Sequence, residues 1–315
     1  MKPFARLFER WSSAKSSAAA GAEAALTPES LAPGTVLAGV SIAQAIGRGA
    51  SAIVYSGQDI ATHAPRAVKV WCPRKGMGDD PAAARERFLQ EAQHSLRLLH
   101  PGIVRVFGGG SQAGLAFVIM ELLAGSNLAR YATAEHRLPE ALVLDIAAQL
   151  GAALAHAHRQ GVLHRDVKPS NALFDPATRR VALTDFGLAR APDAQASRSG
   201  MFLGSPVYMA PELLGGAAAD ARTDLYALGV TVYELLAGRP PFEANSMGSL
   251  LRAVAQQPPP PLATVQSALA GALGSQLDGL LSPLLTKDPA QRCADGDDWA
   301  ERARQLALQL PTPAR

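Results

Sequence analysis

The amino-acid sequence predicts an α+β fold in two lobes, a small antiparallel sheet with one key helix followed by a larger, mainly helical body. Three observations predict it. Between Val40 and Glu121 apolar residues recur in short alternating runs, the period of half-buried strands. Beyond Gly125 they recur at helical spacing, as in Ala141–His158, Thr223–Leu236 and Asp297–Leu310. The chain has 315 residues, enough for one large domain or two lobes, and it shows no internal repeat.

Residues 1–37 read as a flexible N-terminal tail. Its start is basic, and Phe4, Leu7, Phe8 and Trp11 fall at helical spacing opposite Lys2, Arg6, Glu9 and Arg10. Such an amphipathic turn or two could dock on a partner, an anionic membrane face or the folded body. From Ser12 to about Gly34 the chain is rich in Ala, Ser, Gly and Pro and reads as a linker. The first lobe spans 38–122. Its strands are expected at Val40–Ile46, Ile53–Tyr55, Ala67–Trp71, Ile103–Phe107 and Leu115–Glu121. Asp80 followed by Pro81 reads as an N-cap with proline at the first helical position, opening a helix through Phe88, Glu91, Ser95 and Leu98. The helical lobe spans 123–310, and 311–315 is a short tail.

Composition narrows the function. Hydrophobic residues make up 48% and charged residues 18%, an alanine-rich globular balance. The chain carries 30 basic and 27 acidic residues, and residues 1–15 alone hold the three-charge excess. The remainder is balanced, which argues against a nucleic-acid surface. Cys72 and Cys293 are far apart and form no metal-ligand spacing, as in a reduced, cytoplasmic protein. The longest uncharged run, Ala253–Leu277, is interrupted by Pro258, Pro259, Pro260 and Pro261, so no transmembrane segment is expected, and the start lacks a signal core.

Two segments of the first lobe carry possible chemistry. Gly47-Arg48-Gly49-Ala50-Ser51-Ala52-Ile53-Val54 lies between two strand patterns, and a hairpin with small residues at its tip can lay backbone N–H groups over phosphates. An ordinary glycine hairpin fits the same residues. A dinucleotide fingerprint does not, because strand follows strand here. Lys69 sits in mid-strand on the face of Ala67 and Trp71 and calls for an anionic partner, which Glu91 beside Phe88 can supply. Taken alone, it reads better as a surface lysine on an edge strand.

The decisive segment is His164-Arg165-Asp166-Val167-Lys168-Pro169-Ser170-Asn171, with Asp185-Phe186-Gly187 nineteen residues after Asp166. Phosphoryl transfer needs a carboxylate to orient and accept the proton of the attacking hydroxyl, oxygen ligands for Mg²⁺, and cations against developing phosphate charge. Asp166 fits the base, Asn171 and Asp185 the metal ligands, and Lys168 the cation. Singly each would be a turn former or a cap; in this order and spacing they form one site.

With these motifs the chain resembles the eukaryotic-like (Hanks-type) serine/threonine protein kinases of bacteria, over roughly Val36 to Leu310. The resemblance implies the two-lobed kinase fold, ATP with Mg²⁺ or Mn²⁺ as cofactors, and transfer of the γ-phosphoryl group to Ser or Thr of proteins. By resemblance Lys69 and Glu91 form the family's lysine–glutamate pair. The ATP site would comprise Gly47, Arg48, Gly49, Ala50, Ser51, Ala52, Val54, Ala67, Lys69, Met120 as gatekeeper, Glu121 and Leu123 in the hinge, and Leu173. Gly204 to Glu212 is similar to the substrate-docking segment and includes Ser205, Pro211 and Glu212. Asp224 matches the aspartate that anchors the catalytic loop with Arg165, and Arg292 the arginine that pairs with Glu212. Ala52 stands for the third loop glycine, Ser205 for a commoner threonine, and Ser95 for a larger apolar residue.

The alternatives are a pseudokinase scaffold, disfavoured because Lys69, Asp166, Asn171 and Asp185 are all present, and a small-molecule phosphotransferase, disfavoured by the docking segment. Arg165 and Arg190 are read as cations that a phosphate on Ser197 or Ser199 would join, ordering an activation loop. The implied partners are protein substrates, among them forkhead-associated-domain proteins, and a transient dimer for autophosphorylation. His158 is read as a structural, hydrogen-bonded histidine.

Overall fold

A computed structural model describes residues 27–49, 51–73, 80–186 and 206–310. The amphipathic start, Ala50, Gly187, Arg190, Ser197, Ser199, Gly204 and Ser205 lie outside the described residues. The described chain forms two compact units. One holds the residues up to Leu99 together with Val104–Leu123, and the other holds His100–Ile103 and the residues from Ala124 onward.

The first unit is a six-stranded, wholly antiparallel sheet of β1 (Val36–Leu37), β2 (Val40–Arg48), β3 (Ala52–Asp59), β4 (Pro65–Trp71), β5 (Val106–Gln112) and β6 (Leu115–Glu121). Its order is β1-β2-β3-β4-β6-β5. Val68 and Val70 project into a core with Leu37, Ile42, Ile53, Tyr55, Phe117 and Ile119, while strand alternation turns Ala67, Lys69 and Trp71 to the other face. Each fully buried Ile or Phe here contributes about 1.5–3 kcal/mol. Helix α1 (Pro81–Ser95) packs against β5 and β6. Asp80 caps it, accepting the Ala82 N–H at 3.0 Å, with Pro81 where a missing N–H costs nothing.

Three expectations shift. The tail does not run to residue 37: Leu31 is buried in the sheet core, Tyr55 Oη donates to the Pro28 carbonyl at 2.7 Å, and Gly34 N–H reaches the Ile42 carbonyl. One leucine amid Ala and Pro was enough apolar surface to seat the strap. The expected strand Ile103–Phe107 begins at Val106, because Ile103 instead bridges Leu183 in the second unit. The helix ends at Ser95, three residues before Leu98.

The second unit contains a small sheet, β7 (Ser126–Asn127), β8 (Ala172–Asp175) and β9 (Arg180–Leu183), and the helices α2 (Glu140–Arg159), α3 (Pro211–Leu214), α4 (Ala221–Ala237), α5 (Met247–Gln256), α6 (Leu262–Val265), α7 (Ala272–Leu285) and α8 (Gly296–Gln309). Helix α2 runs against α8, α4 and β9. Its approach to α8 uses Gly151 and Gly296, where an added Cβ would stand 3.1 and 2.7 Å from the opposing glycine carbonyls. By length and hydropathy α2 alone among the described helices could cross a bilayer, but 61% of its most apolar stretch is buried inside the unit. Helix α4 is buried along nearly its whole length and ends at Gly238 in the left-handed region, φ 74°.

Candidate active site

The loop from His164 to Asn171 is fixed before any side chain reaches for a ligand. His164 is fully buried, and burial holds its imidazole below the ordinary pKa, hence neutral. Its two nitrogens then have distinct roles. Nε2–H donates to the Thr184 carbonyl at 2.9 Å, and Nδ1 accepts the backbone N–H of Asp166 at 3.2 Å. One ring therefore ties Asp166 to the strand end that presents Asp185, and Phe186 packs on it at 4.5 Å between centroids. A second tie runs from Thr184 N–H to the Asn171 carbonyl at 2.9 Å.

Within the loop, Oδ2 of Asp166 accepts from Lys168 Nζ at 2.7 Å and from Asn171 Nδ2 at 2.8 Å. Asn171 Nδ2 also donates to the Asp166 carbonyl at 2.8 Å, which orients the amide and leaves its Oδ1 as the outward acceptor. Asp166 Oδ1 accepts no hydrogen bond among the described residues. Arg165 and Asp185 both adopt φ 66°, a left-handed conformation costly for residues with a Cβ and characteristic of sites where geometry is imposed by function. Thr184 Oγ1 donates to Asp185 Oδ1 at 3.3 Å.

Asp224, 1% exposed, anchors the loop from below: its Oδ1 accepts Arg165 N–H at 2.7 Å, and its Oδ2 accepts His164 N–H and the His158 imidazole, each at 2.8 Å. His158 is thus the hydrogen-bonded structural group read from the sequence. Glu212 opens α3 and meets Arg292 in a two-pronged pair of 2.7 and 2.9 Å. The remaining Arg292 donors go to the carbonyls of Arg222, Thr286 and Lys287, so all five N–H groups are used. Pro211 supplies the fixed φ at the start of α3. Leu173 lies half-buried in β8 opposite Ala182.

In the first unit, Gly47 and Arg48 end β2, paired with Val54 and Ile53. Gly49 N–H closes the hairpin on the Ala52 carbonyl at 2.8 Å, and Ser51 is exposed at its tip. Val54 stands opposite Lys69, Lys69 opposite Val118, and Ala67 opposite the buried Met120. Glu121 receives the Arg105 N–H at 3.4 Å, and Leu123 is half-buried beyond it. Glu91 is half-buried on α1, whose Ser95 hydroxyl donates to the Glu91 carbonyl at 3.2 Å.

Sequence reasoning missed two groups. The bridging role of His164 depends on Thr184, a contact no local pattern announces. Tyr208 donates to Glu234 at 2.6 Å, and burial raises the pKa of both. The 26 residues between them leave no periodic trace.

Residues 40–306 match the protein kinase domain, and the chain belongs to the protein kinase family. Bacterial serine/threonine-protein kinases are among its curated relatives. It is 38% identical over 283 residues to the DNA damage-responsive serine/threonine-protein kinase RqkA of Deinococcus radiodurans, covering 88% of this chain and 41% of that protein. It is 35% identical over 280 residues to the serine/threonine-protein kinase PknJ of Mycobacterium tuberculosis, covering 87% and 46%. The serine/threonine-protein kinase PrkC of Bacillus subtilis is 37% identical over 210 residues, covering 66% and 32%. The chain thus spans less than half the length of these relatives.

Proposed function

We propose that this chain transfers the γ-phosphoryl group of ATP to serine or threonine of protein substrates. The observation that carries the reading is the Asp166–Lys168–Asn171 cluster, locked to the Asp185 strand end through His164. With Oδ2 held by Lys168 and Asn171, Oδ1 would be the Asp166 oxygen that orients the substrate hydroxyl and takes its proton. The Lys168 ammonium, 2.7 Å from that carboxylate, would offset charge on the transferring group. Asn171 Oδ1 and Asp185 would hold Mg²⁺ or Mn²⁺. Two protein oxygens suit an ion that takes its other ligands from phosphates and water, and no cluster of three or more His, Cys, Asp or Glu ligands competes among the described residues. The metal would supply charge neutralisation on the phosphates.

In the first unit, the Gly47–Val54 hairpin would cover the phosphates, Lys69 paired with Glu91 would contact them, and Ala67, Met120, Glu121 and Leu123 would hold the adenine; by the family resemblance Leu173 of the second unit would share that last role. Glu212 and Arg292 would brace the segment that docks the substrate. Autophosphorylation on Ser197 or Ser199, with the exposed Arg165 as one cation for the phosphate, belongs to the same reading. So do a transient dimer, substrates with forkhead-associated domains, and a cytoplasmic setting.

The test is turnover of a protein substrate with Mg·ATP. Asp166→Asn should lower turnover by about 10²–10⁴-fold while preserving ATP affinity, because it removes the proton acceptor and keeps the metal ligands. Asp185→Ala should weaken both metal dependence and turnover. Near-normal turnover in Asp166→Asn would overturn the assignment.

A further inference from the structure

We propose that Pro258–Pro261 is a preformed polyproline II ligand, and that this kinase uses it to recruit a protein with an aromatic-lined groove for extended proline-rich segments. The conformation follows from the sequence. Residues 257–260 each precede a proline and are pushed out of the helical region, while the prolines fix their own φ near −65°. The ends agree: Gln257 lies at φ −85°, ψ 138° and Pro261 at φ −58°, ψ 139°, both in the polyproline II region.

The segment is pinned at both ends. Before it, α5 buries Ala253 and Val254; after it, Leu262 is fully buried and its N–H donates to Asp278 at 3.0 Å. In the middle Tyr233 Oη donates to the Pro260 carbonyl at 2.9 Å. A partner therefore pays little ordering entropy, the usual weakness of flexible proline-rich tails.

Exposure follows the three-residue turn of this helix. Pro258 and Pro261 share one edge and are both exposed, as is Pro260, whereas Pro259 turns inward and is half-buried. That outer edge is a proline pair at the i, i+3 spacing that fits two successive grooves between aromatic rings. The carbonyls of Pro258 and Pro259 accept no hydrogen bond among the described residues, so a partner's indole or phenol donors would find acceptors there. A cavity of about 380 Å³ borders all four prolines and α7, lined also by Tyr233, Leu281 and Leu285.

The probes are an isolated SH3 domain and an isolated WW domain, titrated separately into the full chain by calorimetry. At least one should bind, and Pro258→Ala with Pro261→Ala should weaken it by about tenfold or more, while Pro259→Ala changes it by less than about twofold. ATP-analogue affinity should be the same in all variants. Failure of both domains to bind, or binding equally strong in the double variant, would overturn the proposal. If the double variant lost its cooperative thermal transition, Pro258→Arg, which alters one exposed residue, would decide by the same two outcomes.

Discussion

Asp224 and Glu212 both bring a carboxylate inside the helical unit, but the groups that meet them differ in kind. Asp224 is met by two backbone N–H groups and an imidazole, and Glu212 by a guanidinium whose every donor is used. Backbone donors belong to the loop being shaped, so Asp224 sets the path of the chain through His164 and Arg165. Arg292 instead reaches in as a side chain and clamps α3 to the end of α7 through the Thr286 carbonyl. The first carboxylate specifies geometry; the second joins elements.

The largest effect should come from Asp224→Ala. It strands the buried N–H of His164 and the partly buried N–H of Arg165, a buried one costing about 1–3 kcal/mol when unsatisfied. It also releases the left-handed turn at Arg165 that aims Asp166. Stability to urea should fall by about 3 kcal/mol, and phosphoryl transfer by about 10²-fold or more. Asp224→Asn, which keeps one acceptor oxygen, should fall between. Full turnover in Asp224→Ala would erase the distinction between the two anchors.

Arg292→Met should show the converse balance. Removing one partner leaves the Glu212 carboxylate mostly buried without its cation, and stability should drop by about 3 kcal/mol. Adding Glu212→Gln should restore part of that loss, because the pair's penalty is an uncompensated charge. Turnover per folded molecule should decline less than in Asp224→Ala, since the loop from His164 to Asn171 stays tied. A double variant no more stable than Arg292→Met would show that the pair acts through shape alone.

The same contrast explains what could be read in advance. Alternation in Ala67–Trp71 and Leu115–Glu121 and helical spacing in α2, α4 and α8 made the two-lobed architecture legible, because those periods are imposed by the elements themselves. The linear motifs around Asp166 and Asp185 were legible because their chemistry is concentrated in a few adjacent residues. What escaped was set by tertiary contact. Leu31 was hidden in an Ala- and Pro-rich stretch and is buried only because the sheet offers it a place. Ile103 reads as a strand residue, yet it pairs with Leu183. His164 looks like one more polar loop residue until Thr184 and Asp166 are seen on its two nitrogens.

A third group beside Arg292 sharpens the comparison, because Lys287 is a half-buried cation with no carboxylate partner among the described residues. Its ammonium donates to the Val254 carbonyl at 2.7 Å and to Tyr226 Oη at 3.1 Å, and it lies 4.1 Å from the Phe242 ring centroid. Burial, and then the neighbouring Arg292, lower its pKa from 10.5 to about 8. Below pH 8 the lysine is charged in both folded and unfolded chains, and its burial penalty is constant. Between about pH 8 and 10.5 the folded chain has released a proton that the unfolded chain still binds, so this group makes the fold more stable as pH rises. Tyr233, pushed up to about 12, works in the opposite direction above pH 10, where the unfolded phenol ionises first. The informative window is therefore about pH 7.5 to 9.5. Across it the urea-unfolding free energy of the wild type, minus that of Lys287→Met, should rise by about 1 kcal/mol, a figure reduced for partial solvent screening. Methionine keeps most of the apolar stem, so tyrosine and thiol titrations common to both proteins cancel in the difference. A flat difference would mean that the two carbonyl and phenol acceptors compensate this ammonium as fully as Glu212 compensates Arg292.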